Sequence, residues 1–469
     1  MKNFTLPENV IEVLKTLEAN GFEGYIVGGC VRDMLLGKTP NDWDITTNAL
    51  PEQVIEMFPR TVDIGKLHGT IGIIFDDKSH PVGANRIRPQ LLSSDGGRED
   101  PAPTNNPRII EVTTYRIDGE YVDNRRPETV TFTPNLADDL ARRDFTINAM
   151  AVGITRPRRS FCRQKRGKSS PYGRLFLCPK KSDIDSNFSG ALHPLNPSQG
   201  GLRGDIIDFH GGREDLESGV IRCVGDANTR FQEDALRMLR AIRFSAQLGF
   251  SIEFETYNAI RENAKLIQNI SAERIRIEFD KILLSDHPER LETIVNTGLG
   301  EVFFPEFDLI EFNSKINQNK SKKNQKKLKL MLTKLGDNVL PLLNRLKYDN
   351  ETKHSVKTLV KYCKLQIEPT KISVKRAIQT VGEENFLDLL DLRSDDKLRE
   401  IYFDIKQNGE PLHISELAIN GQDLMSLGIP AGKEIGVILK RLLDLVLEHP
   451  ELNKRETLIK KVGEINGRF

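Results

Sequence analysis

The spacing of apolar residues in the first third of the chain predicts short strands separated by short helices. Residues 8–20 read as a helix and Gly24–Val27 as a strand. A Gly-Gly turn and a short helix follow, then a strand over Asp42–Thr46. Pro51 suits the first position of a helix running to Met57. Thr61–Ile64, Thr70–Phe75 and Ile109–Tyr115 read as further strands. From Asn228 onward the period lengthens. Phe231–Leu248 sets apolar residues three or four apart, Gly249 suits that helix's end, and helical patterns continue to the C-terminus. The pattern predicts an α+β protein: a small mixed sheet first, then helices.

Two stretches interrupt the sheet-forming region. Residues 78–107 are rich in Pro, Gly, Asn and Ser, and residues 155–203 are basic and loop-like. Long structureless segments are functional or disordered, so these read as mobile inserts, with RNA contact as the alternative. The basic run Lys315–Lys334 reads either as a solvated face or as a phosphate contact. With 469 residues the chain exceeds the roughly 250–300 at which single cores stop growing, which implies several domains. A net charge of +1 means that any nucleic-acid surface comes from local patches. No apolar run reaches the roughly 20 residues of a membrane span, and no signal-peptide stretch opens the chain. The five cysteines are scattered with no C-x-x-C pair, which points to free thiols in a reducing cytoplasm and away from structural zinc.

The chemistry begins at Gly28-Gly29-Cys30-Val31-Arg32-Asp33, followed by Asn41-Asp42-Trp43-Asp44. On a strand, Asp42 and Asp44 would share a face. Two such carboxylates can hold Mg²⁺, which often bridges protein carboxylates to substrate phosphates. The glycines let backbone N–H groups approach a triphosphate at a helix N-terminus. A bare D-x-D pair is usually solvated surface. Asp183-Ile184-Asp185 has no Gly-rich turn and helix before it and is read that way. Glu111, on a strand, is a plausible third carboxylate. Arg142-Arg143 suits bidentate grip on phosphate, or else a surface ion-pair cluster.

Asp234 and Arg237, three apart on a predicted helix, form either an ion pair or a base reader. A carboxylate accepts from an exocyclic amino group and Arg donates to a ring nitrogen. Cytosine and adenine both offer that pattern, whereas uracil and guanine invert it. One Asp–Arg pair can therefore admit C and A and reject U and G.

Taken together, these segments resemble the class II nucleotidyltransferase superfamily, which holds tRNA CCA-adding enzymes and bacterial poly(A) polymerases. The matching motifs occur in order. They are Gly28-Gly29-x-Val31-Arg32-Asp33 with Asp42-x-Asp44, Arg142-Arg143-Asp144-Phe145-Thr146-Ile147-Asn148-Ala149, Asp208-x-x-Gly211-Gly212-x-x-Asp215, Glu233-Asp234-x-x-Arg237, and Ser271-x-Glu273-Arg274-x-x-x-Glu278. The resemblance implies a nucleotidyltransferase head over 1–225, a base-reading neck over 226–285, a helical body over 286–375 and a tRNA-binding tail over 376–469. It implies that Asp42 and Asp44 hold Mg²⁺, with Glu111 as third catalytic carboxylate. Gly28, Gly29, Arg32, Arg142, Arg143 and Arg240 would contact the nucleotide's phosphates or ribose, and Asp234 and Arg237 would select its base. The RNA 3′-hydroxyl would attack the α-phosphate of CTP or ATP in the cytoplasm. The segment Asp118–Glu128 looks like the flexible loop of enzymes that add A after C, which favours full CCA addition over poly(A) synthesis or partial CC- or A-addition.

Overall fold

The computed structural model describes residues 6–75, 109–119, 121–122, 126–153, 206–305 and 324–465. Both inserts, the Asp183/Asp185 pair, the start of the basic run, and Glu120 and residues 123–125 of the charged loop lie outside the described residues. The chain folds as two compact units, Met1–Ser271 with Thr297–Leu299 and Ala272–Asn296 with Gly300–Phe469.

The first unit holds a seven-stranded sheet. Its strands are β1 (Gly24–Val27), β2 (Asp44–Thr47), β3 (Thr61–Gly65), β4 (Thr70–Ile74) and β5 (Ile109–Thr114). After the short strands β6 (Arg116–Asp118), β7 (Tyr121–Val122), β8 (Arg126–Pro127) and β9 (Val130–Phe132), it is completed by β10 (Met150–Gly153) and β11 (Ile206–Asp208). The order is β11-β10-β1-β2-β5-β4-β3. β2 and β5 run parallel, and the other neighbours are antiparallel.

Register decides which residues share a face, because successive side chains on a strand alternate and paired residues point the same way. Tyr25 pairs with Thr46 and Val27 with Asp44. Asp44 in turn pairs with Glu111, and Thr46 with Thr113. These six residues therefore line one face. Helix α4 (Leu136–Ala141) covers it. Its Leu136 and Leu140 join Tyr25, Val27, Tyr115 and Ala151 in one apolar cluster. The opposite face carries the buried Ile26 and Ile45. There α1 (Glu8–Ala19) packs on β1 through a stripe of Val10, Val13, Leu14 and Leu17.

The Asp208–Asp215 motif is structural glue. The Asp208 carboxylate accepts from the backbone N–H of His210, Gly212 and Arg213 at 2.9–3.1 Å. It thereby caps α5 (Gly212–Ser218), whose buried Asp215 accepts from the Thr146 hydroxyl at 2.7 Å. A Cβ on Gly212 would stand 2.1 Å from the Thr146 carbonyl oxygen, so only glycine allows that approach.

Two elements differ from the sequence reading. β2 begins at Asp44, so Asp42 lies just outside the strand and is exposed. The helix expected over Phe231–Leu248 is two helices, α6 (Ala227–Glu233) and α7 (Leu236–Leu248). Asp234 takes extended backbone between them (φ −136°, ψ 104°), and its carboxylate accepts from the Leu236 N–H at 3.1 Å. An Asp that can bond nearby backbone competes with helix continuation. β13 (Ser251–Ile252) follows α7 and pairs with β12 (Val220–Ile221), which precedes α6, and α8 (Phe254–Asn263) comes next.

The second unit is helical, starting with α9 (Ala272–Leu283). Its core includes one cluster running from Leu359 to Leu412 and another from Leu417 to Val462. Two lysines in the described part of the basic run pair with carboxylates of the same unit. Lys326 meets Asp391 at 2.6 Å and Asp388 at 3.2 Å, and Lys329 meets Glu384 at 3.2 Å. No described helix is long and apolar enough to cross a membrane.

Candidate active site

Gly28 enters helix α2 (Gly29–Leu35) at φ +78°, a backbone that side-chain-bearing residues rarely adopt. A Cβ there would also stand 3.0 Å from an Arg143 guanidinium nitrogen and 3.6 Å from Asp44 Oδ2. The bare glycine thus leaves a gap beside an arginine and a carboxylate.

Asp44 and Glu111, directly paired across adjacent parallel strands, sit side by side about 4.8 Å apart along the sheet. Burial raises the Asp44 carboxyl above the usual carboxylate range, Arg143 pulls it down and Asp42 pushes it up. Among the described residues no three His, Cys, Asp or Glu side chains converge as a metal cage. Mg²⁺ does not need one, since one or two carboxylates plus substrate phosphates commonly suffice. Asp42 and Asp44 fit such an ion. Both are hard oxygen donors, and a cation would favour the charged form of a half-buried carboxylate beside another negative charge.

Arg142 and Arg143 close α4 and share one buried carboxylate, that of Asp139. Arg142 donates to Asp139 Oδ1 from Nε at 2.9 Å and from a terminal nitrogen at 2.7 Å, while Arg143 reaches Oδ2 at 3.4 Å. The Thr46 hydroxyl of β2 donates to the same Oδ2 at 3.2 Å. Burial alone would raise the Asp139 carboxyl, but the two guanidiniums and these hydrogen bonds outweigh it and hold it below the usual range. Arg143 Nε is buried with no hydrogen-bond partner among the described residues. An orphaned donor on the guanidinium that borders Gly28 invites an anionic oxygen.

The other arginines are equally constrained. Arg32 donates to Asn148 Oδ1 at 2.9 Å and to Asp33 at 2.8 Å. Arg240 grips the buried Asp144 at 2.8 and 2.5 Å. Burial pushes the Asp144 carboxyl up, but Arg240 and then Arg237 overcome this and hold it well below the usual range. The ring of Phe244 lies under three guanidiniums: Arg243 at 3.9 Å, Arg32 at 5.1 Å and Arg240 at 5.6 Å.

Arg237 is buried at the start of α7. It donates to Glu233 at 2.5 Å, to the Arg230 carbonyl at 3.3 Å and to the Arg142 carbonyl at 3.1 Å, with the Tyr121 ring 6.0 Å away. The last of these bonds ties the expected base reader to the arginine pair. Asp234 stands at the break before α7, so it and Arg237 flank a turn instead of sharing one helix face.

Asp139, Glu233, Asn148 and Phe244 went unassigned in the sequence reading. Asp139 and Glu233 were visible as carboxylates three or four residues before an arginine, the spacing of helical ion pairs. Asn148 was visible only as a member of the Arg142–Ala149 motif, and nothing local marks Phe244; the partners of both include residues of distant segments.

Known proteins match this chain along nearly its whole length. A family model described as the poly A polymerase head domain matches residues 24–100 and 100–158. One described as a probable RNA- and SrmB-binding site of polymerase A matches 249–310. A third, a putative tRNA nucleotidyltransferase domain 2, matches 319–462. The CCA-adding enzyme of Pediococcus pentosaceus is 31% identical, over 98% of this chain and 98% of its own. That of Lactobacillus helveticus is 30% identical over 97% and 96%. Among solved structures, the Bacillus stearothermophilus CCA-adding enzyme in complex with CTP aligns with TM-score 0.68 and 26% identity, covering 98% of each chain.

Proposed function

This chain belongs to the family of CCA-adding enzymes and poly(A) polymerases, and on that premise we propose that it builds or repairs the 3′-terminal CCA of tRNA from CTP and ATP. The observation that carries the site reading is the meeting of Asp44, paired with Glu111, and the Arg143 guanidinium around the gap at Gly28, with the Arg143 Nε unpartnered among the described residues. In this reading Asp42 and Asp44 hold Mg²⁺, with Glu111 as the third carboxylate. Bound there, the ion would polarise the attacking 3′-hydroxyl and offset charge on the triphosphate.

The chain's own residues do the rest by positioning and charge. Gly28 and Gly29 let the backbone approach the phosphates. Arg32, Arg142 and Arg143 bind their oxygens and stabilise the departing pyrophosphate. Arg240, held by Asp144, faces the phosphates or ribose. Arg237 and Asp234 read the base edge. Among the described residues, the contacts to Glu233 and the two carbonyls leave Arg237 Nε and one terminal N–H unused, so a ring nitrogen of C or A can still be met. An activity on tRNA with nucleoside triphosphates belongs in the cytoplasm.

The test uses tRNA transcripts ending at the discriminator base, at C and at CC, incubated with Mg²⁺ and CTP, ATP or both. Products are resolved at single-nucleotide length. Growth that halts at CCA is the expected result. A long A tail, a halt at CC, or A-addition to the CC end alone would replace the reading with poly(A) synthesis or partial addition.

A further inference from the structure

Asp139 is fully buried, and the arginines around it hold its carboxyl in the charged form. It sits where two parts of the site meet. From one side it receives both arginines that close α4. From the other it receives the hydroxyl of Thr46, two residues beyond Asp44 on β2 and on the same face of the sheet. The single Thr46 hydroxyl proton is shared between Asp139 and the Thr113 carbonyl, 3.0 Å away on β5, the strand that carries Glu111.

We propose that Asp139 is a positioning residue that fixes the Arg142–Arg143 pair in register with the Asp44 strand, so that the triphosphate grip and the carboxylates are held as one rigid frame. The proposal rests on the reading that these arginines bind the triphosphate. An arginine side chain free to rotate must be ordered by its ligand, and that cost comes out of binding. Asp139 meets the cost before the nucleotide arrives. Its two oxygens also divide the work. Oδ1 takes the two Arg142 bonds, and Oδ2 takes Arg143 and Thr46. Arg143, whose Nε remains for the ligand, is thus the guanidinium coupled most directly to β2.

The experiment measures single-turnover incorporation as a function of CTP, ATP and tRNA concentration for D139N, T46V, T46S, R142A and R143A. Single turnover separates affinity from the fraction of active protein. D139N is expected to raise the half-saturating concentration of CTP and of ATP about tenfold alike, with that of tRNA unchanged. T46V, which leaves Asp139 and its arginines intact, should raise both about threefold, and T46S, which restores the hydroxyl, should return them to the starting value. A purely structural Asp139 would lower amplitude and melting temperature without moving nucleotide affinity, and that pattern in D139N and T46V overturns the proposal. If R142A and R143A weaken nucleotide binding while D139N and T46V do not, the arginine reading stands and only the Asp139 role fails. If the arginine variants bind nucleotide normally, the reading underneath falls and takes the proposal with it.

Discussion

Asp42 and Asp44 are two residues apart in the chain but live in different settings. Asp44 is drawn into the site by β2, whereas Asp42 is exposed in the turn before it. An exposed carboxylate contributes little to folding, typically within about 0.5 kcal/mol. Asp42→Ala should therefore leave the melting temperature and tRNA binding unchanged while incorporation falls by about 10³-fold or more, as expected when a metal-holding charge is lost. Retained turnover in a gel assay would reject Asp42 as a metal holder. Arg237 is the opposite case, being buried and bonded three ways. Arg237→Ala should lower stability, because Glu233 loses one of its two guanidinium partners. It should also cut the preference for CTP and ATP over UTP and GTP by about tenfold or more. Competition among the four nucleotides at 20 °C, well below unfolding (about 45–65 °C for ordinary domains), reads selectivity apart from stability. Unchanged selectivity there would reject the base-reading role.

At the scale of elements, local signals were legible and long-range pairings were not. The Gly-Gly turn, the α2 helix and the strands β1 to β5 each show in a few adjacent residues. The pairing of Asp44 with Glu111 depends on a parallel neighbour reached only after α3 (Pro51–Met57), β3, a short 3-10 turn, β4 and a stretch outside the described residues. No local pattern carries that. The break at Asp234 was hidden for a different reason, because apolar periodicity passes straight across α6 and α7. Only the capping power of an Asp side chain hinted at a stop. A buried polar element in the second unit was likewise invisible. Tyr348, in the turn between the helices Val339–Arg345 and Asn350–Tyr362, donates its hydroxyl to Asp280 of α9. Arg276 lies 5.6 Å over the Tyr348 ring, and the neighbouring Lys347 pairs with Glu273 at 2.8 Å. Burial pushes the Asp280 carboxyl up to about 7, against the pull of the Tyr348 bond and Arg276. A carboxyl that holds its proton more tightly when folded stabilises the fold at low pH and loses that contribution as pH rises to about 7. Asp280→Asn removes the titration. The variant should match the parent near pH 4 and exceed it by ~2 kcal/mol at pH 8, less than the full shift because the Tyr348 bond also weakens. Denaturant melts at the two pH values check this, and an equal offset at both would exclude Asp280 as the source.

For the molecule as a whole, the charge balance sets how RNA can be held. A net charge of +1 gives no global attraction for a polyanion, so tRNA affinity must come from a few exposed cations gathered locally. The Lys315–Lys334 run is one of two dense basic stretches in the sequence, yet its described lysines do internal work. Lys326 is held by Asp388 and Asp391, and Lys329 by Glu384 and Glu351. Lys327 donates to the Leu284 carbonyl at 2.9 Å. A lysine already neutralised in the folded unit releases no phosphate counterion when RNA binds. Each phosphate contact adds about 0.7–0.9 to the slope of log affinity against log salt. The double variant K326A/K329A should therefore leave that slope for tRNA unchanged, while lowering the melting temperature because Asp388 is left buried without its partner. Filter binding between 50 and 200 mM salt measures the slope. A fall of about 1.5 or more would mean that both lysines leave their carboxylates to meet the phosphate backbone.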